Sequence, residues 1–184
     1  MKHLGTRQLE TERLLLRPFT MEDRDGMYWN WASDQEVTKY LTWPAHASPV
    51  ITEGILKGWI SQYGSPDFYQ WAIVLRTDSP EPIGSISVVS HNDEISEAVI
   101  GYCIGRRWWR QGITSEALGA VISYLINEVG MNRIVSYHDT NNPNSGAVMR
   151  KCGMRMEGIM RQADRNNQGI CDICQYAVLA EDLR

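Results

Sequence analysis

Gly101-Tyr102-Cys103-Ile104-Gly105-Arg106-Arg107-Trp108-Trp109-Arg110-Gln111-Gly112-Ile113-Thr114-Ser115-Glu116-Ala117-Leu118 is the stretch on which the fold turns. Its first residues finish a strand pattern that begins at Glu97, its middle is a basic turn, and its end opens a helix. From Ile113 to Val129 the apolar residues Ala117, Leu118, Val121, Ile122 and Leu125 share one face, and Gly130 stands where a helix ends on a left-handed residue. A second strand, Arg133 to Asp139, follows, and strand, helix, strand is the unit for parallel pairing. The first N–H groups of a helix lack internal partners and the dipole there is positive, so a turn whose point of closest approach is Gly112 can hold a pyrophosphate. Arg106, Arg107 and Arg110 add positive charge. The Gly-x-Lys-Ser/Thr ending of an ATP-type phosphate loop is absent, which disfavours ATP.

Upstream, Leu14-Leu15-Leu16-Arg17-Pro18 predicts a strand ended by proline. Thr20 with Asp23 then starts a helix carrying Met27, Trp31 and Ala32 on one side. Ser48-Pro49 signals another helix, with Ile55, Leu56, Trp59 and Ile60 at helical spacing until Gly64. Between the two lies an aromatic loop, Tyr40 to His46. Strands over Tyr69 to Arg76, Ile83 to Val89 and Glu97 to Ile104, separated by the turn-rich segments Thr77 to Pro82 and His91 to Glu94, predict an antiparallel meander. Downstream, a short helix from Asn144 to Cys152 stops at Gly153. Strands around Met156 to Arg161 and Ile170 to Leu179 then flank a hairpin turn at Asn166-Asn167-Gln168-Gly169. This order of elements predicts a mixed α/β fold with a partly antiparallel sheet.

The 184 residues suit one domain spanning 1–184. A net charge of -4 argues against nucleic acid as a partner, since phosphate binding is driven by clustered Lys and Arg. The start, Met1 to Gln8, has no apolar run of the signal-peptide kind, and no stretch is long and apolar enough for a bilayer span, so a cytoplasmic protein without membrane partners is expected. Cys103, Cys152, Cys171 and Cys174 show no disulfide framework. The single C-x-x-C lies in a strand-like run where positions three apart face opposite ways, so no metal or redox centre is expected there, and no metal is expected elsewhere in the chain.

The basic turn resembles the Q/R-x-x-G-x-G/A signature of the GNAT acetyltransferases. Its form is the W-x-x-G-x-x-[ST]-E-A variant of the branch that acetylates ribosomal-protein N-termini, here Trp109 to Ala117. Two positions depart: Thr114 stands where Gly or Ala is preferred, and Arg110 where many relatives keep a small residue. A second block, Asp139 to Met154, is similar to N-x-x-S-x-x-[VL]-x-x-K-x-G-[FM], with Asn142, Ser145, Val148, Lys151, Gly153 and Met154 in register. Leu14 to Pro18 near the start, and Glu157-Gly158, Arg161, Asp172 and Tyr176 near the end, extend the resemblance over nearly the whole chain.

The resemblance implies the GNAT fold, a bent, mixed, mostly antiparallel α/β sheet with helices on both faces, and acetyl-CoA as cosubstrate. It implies that backbone amides of Arg110, Gln111, Gly112, Ile113, Thr114 and Ser115 hold the pyrophosphate, with Asn142 near the coenzyme. Cys103 and Ile104 pair by main chain with the pantetheine arm, and one of their amides polarises the thioester oxygen. Ser145 takes the proton-donor position of the branch, although serine there also suits a helix cap. Asn142 orients a water or the coenzyme, in an Asn-Pro that is also an ordinary turn signal. Many relatives carry a Glu where Val99 stands. Glu97, on the same strand face, is the nearest substitute as base and needs surroundings that raise its pKa. His138 and His46 are further candidates, since an imidazole side chain is suited to accept a proton near physiological pH. Trp31, Trp43 and His46 fall in the region that lines the acceptor cleft in the family. Asp172 and Glu157 are candidates to hold an acceptor cation. The implied activity is acetyl transfer from acetyl-CoA to a primary amine, at a protein N-terminus or on a small molecule such as a polyamine, amino acid or antibiotic. A non-catalytic acetyl-CoA-binding module is the reading from another class, and a homodimer is open because many family members dimerise.

Overall fold

The computed structural model describes residues 1–77 and 79–183. Asp78, within the turn expected between Thr77 and Pro82, and Arg184 lie outside the described residues. The strands are β1 (Leu9–Glu10), β2 (Leu14–Arg17), β3 (Gln70–Leu75), β4 (Pro82–Asn92), β5 (Glu97–Ile104), β6 (Arg133–Asp139), β7 (Arg155–Asn166) and β8 (Gly169–Leu179). The helices are α1 (Arg24–Met27), α2 (Gln35–Thr38), α3 (Pro49–Gln62), α4 (Ile113–Tyr124) and α5 (Pro143–Lys151). The strands form one sheet in the order β1-β2-β3-β4-β5-β6-β8-β7. Every neighbouring pair is antiparallel except β5 with β6. Among the described residues no helix is long and apolar enough to cross a membrane.

β3 shows why helices cover both faces. Successive side chains of a strand point to opposite sides, and here Trp71 and Ile73 enter one core while Ala72 and Val74 enter another. The first core is filled by the α4 stripe of Ala117, Leu118, Val121 and Ile122. The second is filled by Met27, Trp31 and Leu56 from the 21–62 region. Both helical runs wind unevenly. Beyond Tyr124 the predicted long helix continues to Val129 as a wider π-type turn, closed by the left-handed Gly130. The run after Thr20 breaks into a 3-10 turn, α1, and another π-type turn, which Ser33 closes by donating both its N–H (3.1 Å) and its hydroxyl (2.8 Å) to the Tyr28 carbonyl.

The sheet carries a fork. β5 and β6 pair only through Glu97 with Arg133, Ala98 with Ile134 and Val99 with Val135. Beyond that point β6 stays on β8 while β5 stays on β4. A register shift in β4 between Val88 and Ser90 lies across from the point of divergence, and such bulges increase local twist. At the crotch the Ser136 hydroxyl donates to the Ile100 carbonyl (2.8 Å).

At the closed end Arg133 donates to Glu97 (2.7 Å) and to Glu157 (2.6 Å). The Arg133 guanidinium holds the Glu157 carboxyl down at about 2. A depressed carboxylate adds stability above its unfolded pKa and loses it as pH falls through the folded one. Glu157→Gln is therefore expected to lower the unfolding free energy at pH 7, read from urea denaturation, by under about 1 kcal/mol given the exposure of the pair. The deficit should shrink between pH 4.5 and about 2; chemical denaturation at several pH values measures it.

Candidate active site

The loop from β5 to α4 contains two left-handed residues, Arg110 (φ +61°) and Gly112 (φ +75°). A non-glycine residue there is uncommon, and together the two turns aim the chain's amides outward at the start of α4. The first backbone bond of the helix is donated by Glu116 to the Gly112 carbonyl (3.1 Å), so the N–H groups of Ile113, Thr114 and Ser115 are the open ones. The Ile113 side chain itself is core. Glu116 fastens the cradle from behind, accepting from Thr11, from the Arg13 backbone (2.9 Å) and from the Arg13 guanidinium (2.6 Å). Burial pushes the Glu116 carboxyl up, but these donors outweigh it and hold it below its ordinary value. Arg13 also donates to the Gln111 carbonyl (3.0 Å).

A Cβ added to Gly112 would lie 3.2 Å from Lys151 Nζ and 3.6 Å from the Arg13 guanidinium. The cations beside the cradle are therefore Lys151 and Arg13. Among the arginines expected there, Arg106 pairs with Asp34 (3.0 Å), Arg107 lies over the Trp108 ring and Arg110 is exposed.

In the fork, Gly105 N–H donates to the Ile83 carbonyl (2.9 Å) on the β4 side. By strand alternation the amide of Cys103 faces β4 as well, and those of Tyr102 and Ile104 face the gap left by β6. Of the expected pair, Ile104 thus offers its N–H to the gap, its carbonyl accepting from the Trp109 indole (2.9 Å), and Cys103 faces β4 instead.

A cavity of about 270 Å³ opens from the fork, bounded by Trp43, Tyr102, Asn142, Ser145, Asp139 and Asn166 among others. Ser145 does not cap α5. The cap position is Asn142, whose side chain makes no capping bond, and Ser145 lies on the third residue of the helix. Its hydroxyl sits 2.9 Å from Tyr102 Oη, while that phenol donates to the Ser145 carbonyl (3.0 Å). Burial raises the Tyr102 pKa, which keeps the phenol protonated.

At the other wall Asp139, 6% exposed, accepts from the Asn141 backbone (2.8 Å), the Asn141 amide (3.0 Å) and the Asn166 amide (2.7 Å). Burial pushes its carboxyl up, and these donors more than reverse the shift. The mouth is stitched by Asn167, whose amide donates to the carbonyls of Thr38 and Trp43 (2.8 Å each), with its N–H on the Leu41 carbonyl (3.1 Å).

Several expected residues lie elsewhere. Trp31 is fully buried in the second core. His46 is buried behind Trp43, its Nδ1 2.8 Å from Thr52 Oγ1, and burial lowers its pKa. Asp172 faces away from the cavity that its neighbours Cys171 and Ile173 line, and accepts from the Gln162 backbone (2.8 Å) at a β7 bulge. Glu97 is bound to Arg133 at the closed end of the fork, so nothing places it beside the cavity. Glu157 shares that arginine. His138 borders the cavity, but its Nδ1 donates to the Asp139 carbonyl (2.7 Å) and its Nε2 is buried against Gly146, where an added Cβ would approach to 2.4 Å.

Tyr102, Asp139, Arg13 and Asn167 are the residues that motif reading passes over. Asp139 alone carried a local signal, standing at the carboxyl end of a strand, where open α/β sheets collect ligands.

Comparison with known proteins agrees with this geometry. The family model for the acetyltransferase (GNAT) domain matches residues 13–155. An uncharacterized N-acetyltransferase of Bacillus subtilis, YoaA, is 30% identical, over 93% of this chain and 96% of its own length. The [ribosomal protein uS5]-alanine N-acetyltransferase of Escherichia coli is 25% identical, over 82% of this chain and 79% of its own. The crystal structure of a GNAT-family acetyltransferase from Bacillus anthracis superposes with a TM-score of 0.83 at 25% identity, covering 95% of this chain and 99% of that one. A helix-start cradle, a forked sheet and a family match over most of the length agree: the chain belongs to the GNAT family of acetyltransferases.

Proposed function

We propose that this enzyme moves the acetyl group of acetyl-CoA to the N-terminal amine of a protein, a ribosomal protein being the substrate class named for the Escherichia coli relative. The observation that carries the reading is the form of the acceptor side. The cavity at Asp139 continues into an open depression of about 560 Å³ along Thr42 and the 165–169 turn, sharing Thr42 and Asn166 with it. An ammonium rests against the buried Asp139 carboxylate, and the residues that follow leave along that turn.

The coenzyme is held as a main-chain ligand. Its pyrophosphate takes the amides from Gln111 to Ser115, with Lys151 and Arg13 beside it, and its pantetheine arm lies in the gap along Tyr102 and Ile104. One of those two amides donates to the thioester oxygen as charge develops on it. The acceptor first loses a proton to water, because a depressed Asp139 is too weak a base to keep it. The neutral nitrogen attacks the carbonyl carbon, and the C–S bond breaks as the C–N bond forms. Ser145 gives its proton to the departing thiolate and receives the one lost by nitrogen, so no outside acid is consumed. Tyr102 positions that hydroxyl, and Asn142, on the cavity wall at the cap of α5, orients a water or the coenzyme.

Asp139→Asn keeps the shape of the wall and removes the charge. A hydrogen bond to a charged group is worth about 1.5–3 kcal/mol, so the KM for a free-amine peptide is expected to rise roughly 10- to 100-fold with little change in kcat. Steady-state kinetics on peptides beginning with Ala or Ser, on the same peptides N-terminally blocked, and on polyamines and free amino acids test both the role and the acceptor class. Turnover of the small amines with none of the peptides would replace the N-terminal reading by a small-molecule one.

A further inference from the structure

We propose that His3, His91 and Asp93 form a zinc-binding site, outside the acetyl-transfer cleft, that clips the amino-terminal segment to the β4–β5 turn. Three donors of the right kind converge there. His3 Nε2 lies 3.2 Å and His91 Nδ1 2.8 Å from the same oxygen, Asp93 Oδ1, and the ligand atoms of all three residues lie within 4.8 Å of one another. The two imidazole rings are 4.8 Å apart. With zinc-to-nitrogen and zinc-to-oxygen lengths of about 2.0–2.2 Å, neighbouring ligand atoms of a tetrahedral site stand about 3.3–3.5 Å apart. Moving His91 Nδ1 about 0.5–0.7 Å away from Asp93 Oδ1 and His3 Nε2 by less, with no pair of ligand atoms starting more than 4.8 Å apart, brings the set to that spacing with water as fourth ligand. None of the three residues borders the cleft cavity.

The far side of each ring strengthens the case, because a metal-bound histidine is oriented by the partner of its other nitrogen. His3 Nδ1 meets Tyr69 Oη at 2.8 Å, and Tyr69 is 1% exposed and fixed in the core. His91 Nε2 faces the Asp67 carboxylate at 3.9 Å. His91 thus stands between two carboxylates, and as a neutral ring it can give its single proton to only one of them. When that proton faces Asp67, and the His3 proton faces Tyr69, His91 Nδ1, His3 Nε2 and Asp93 Oδ1 are left side by side as three unprotonated donors, a set that a cation can bridge. Two imidazoles with one carboxylate favour zinc over the all-oxygen coordination of magnesium or calcium. The sequence conceals the set, since His3 is brought to the turn by the pairing of Lys2 with Val129 and of Gly5 with Pro66.

Calorimetric titration of the dialysed full chain with zinc tests the site, alongside thermal melts and substitution by cobalt(II). One zinc per chain and a raised Tm are expected. His3→Ala and His91→Ala should each weaken binding at least tenfold, and Tyr69→Phe by about 10- to 100-fold. The cobalt form should lack thiolate charge-transfer bands. Every variant should keep the stabilisation by acetyl-CoA, which shows that it is folded. The proposal is overturned if the wild type takes up no zinc, if the His3→Ala/His91→Ala double variant binds zinc like the wild type, or if uptake disappears only when the cysteines are replaced.

Discussion

Replacing Gly112 by valine is expected to abolish the stabilisation that acetyl-CoA gives the folded chain. A ligand at about 100 times its dissociation constant stabilises by roughly 2.7 kcal/mol, and the wild type should show a thermal shift of that order. Valine disturbs the cradle in two ways. A left-handed conformation costs an L-residue about 1–2 kcal/mol, so relaxation of φ from +75° turns the amides of Ile113 and Thr114 away from a common point. The new side chain also enters the space between Lys151 and Arg13, the place proposed above for the phosphates. The strain lowers the melting temperature of the free variant, and the quantity to compare is therefore the ligand-induced difference. Gly119→Ala is the control. Nothing lies within 4 Å of its Cβ, in the same helix, and it should keep the full shift while gaining up to about 1 kcal/mol from helix propensity. Equal shifts in Gly112→Val and wild type would remove the coenzyme from this loop.

Ser145→Ala is expected to lower kcat by roughly 10²- to 10⁴-fold, the range for loss of one positioned proton donor, with the acetyl-CoA dissociation constant little changed. Tyr102→Phe should lower kcat by about tenfold or more, through the freed rotation of the serine hydroxyl. Because Tyr102 works through Ser145, its effect should vanish in the Ser145→Ala background, and a double-mutant cycle reads that coupling directly. An additive double variant would make Tyr102 an independent donor. A Ser145→Ala enzyme with wild-type kcat would leave proton delivery to water.

The parts of the site that the sequence made legible are those built from neighbours in the chain. The cradle is a continuous run from Gly105 to Ser115 whose function resides in its backbone, so strand, basic turn and helix could be read in order. The fork left no mark in the local pattern of residues, because it depends on a bulge in β4 across from Val99 and Ile100. The acceptor residues were the least legible. Tryptophans and a histidine in an aromatic loop signal a wall, but only packing decides that Trp43 lines the cavity while His46 stands behind it and Trp31 fills the core. Asp172 was misplaced by strand parity, since one residue along β8 exchanges the cavity for the far face. Arg13 reaches Gln111 across 98 positions, a distance at which no local pattern operates.

The fork also has a mechanical meaning. Along their facing edges β5 and β6 meet in three residue pairs, the Arg133–Glu97 ion pair at the closed end and the Ser136 hydroxyl at the crotch. In the binding mode proposed above, an extended ligand carrying its own amide groups along Tyr102 and Ile104 completes the sheet as a further strand would. Amide hydrogen exchange at residues 100–104 and 136–139 should then slow together on coenzyme binding, because the ligand joins the two half-sheets into one cooperative unit.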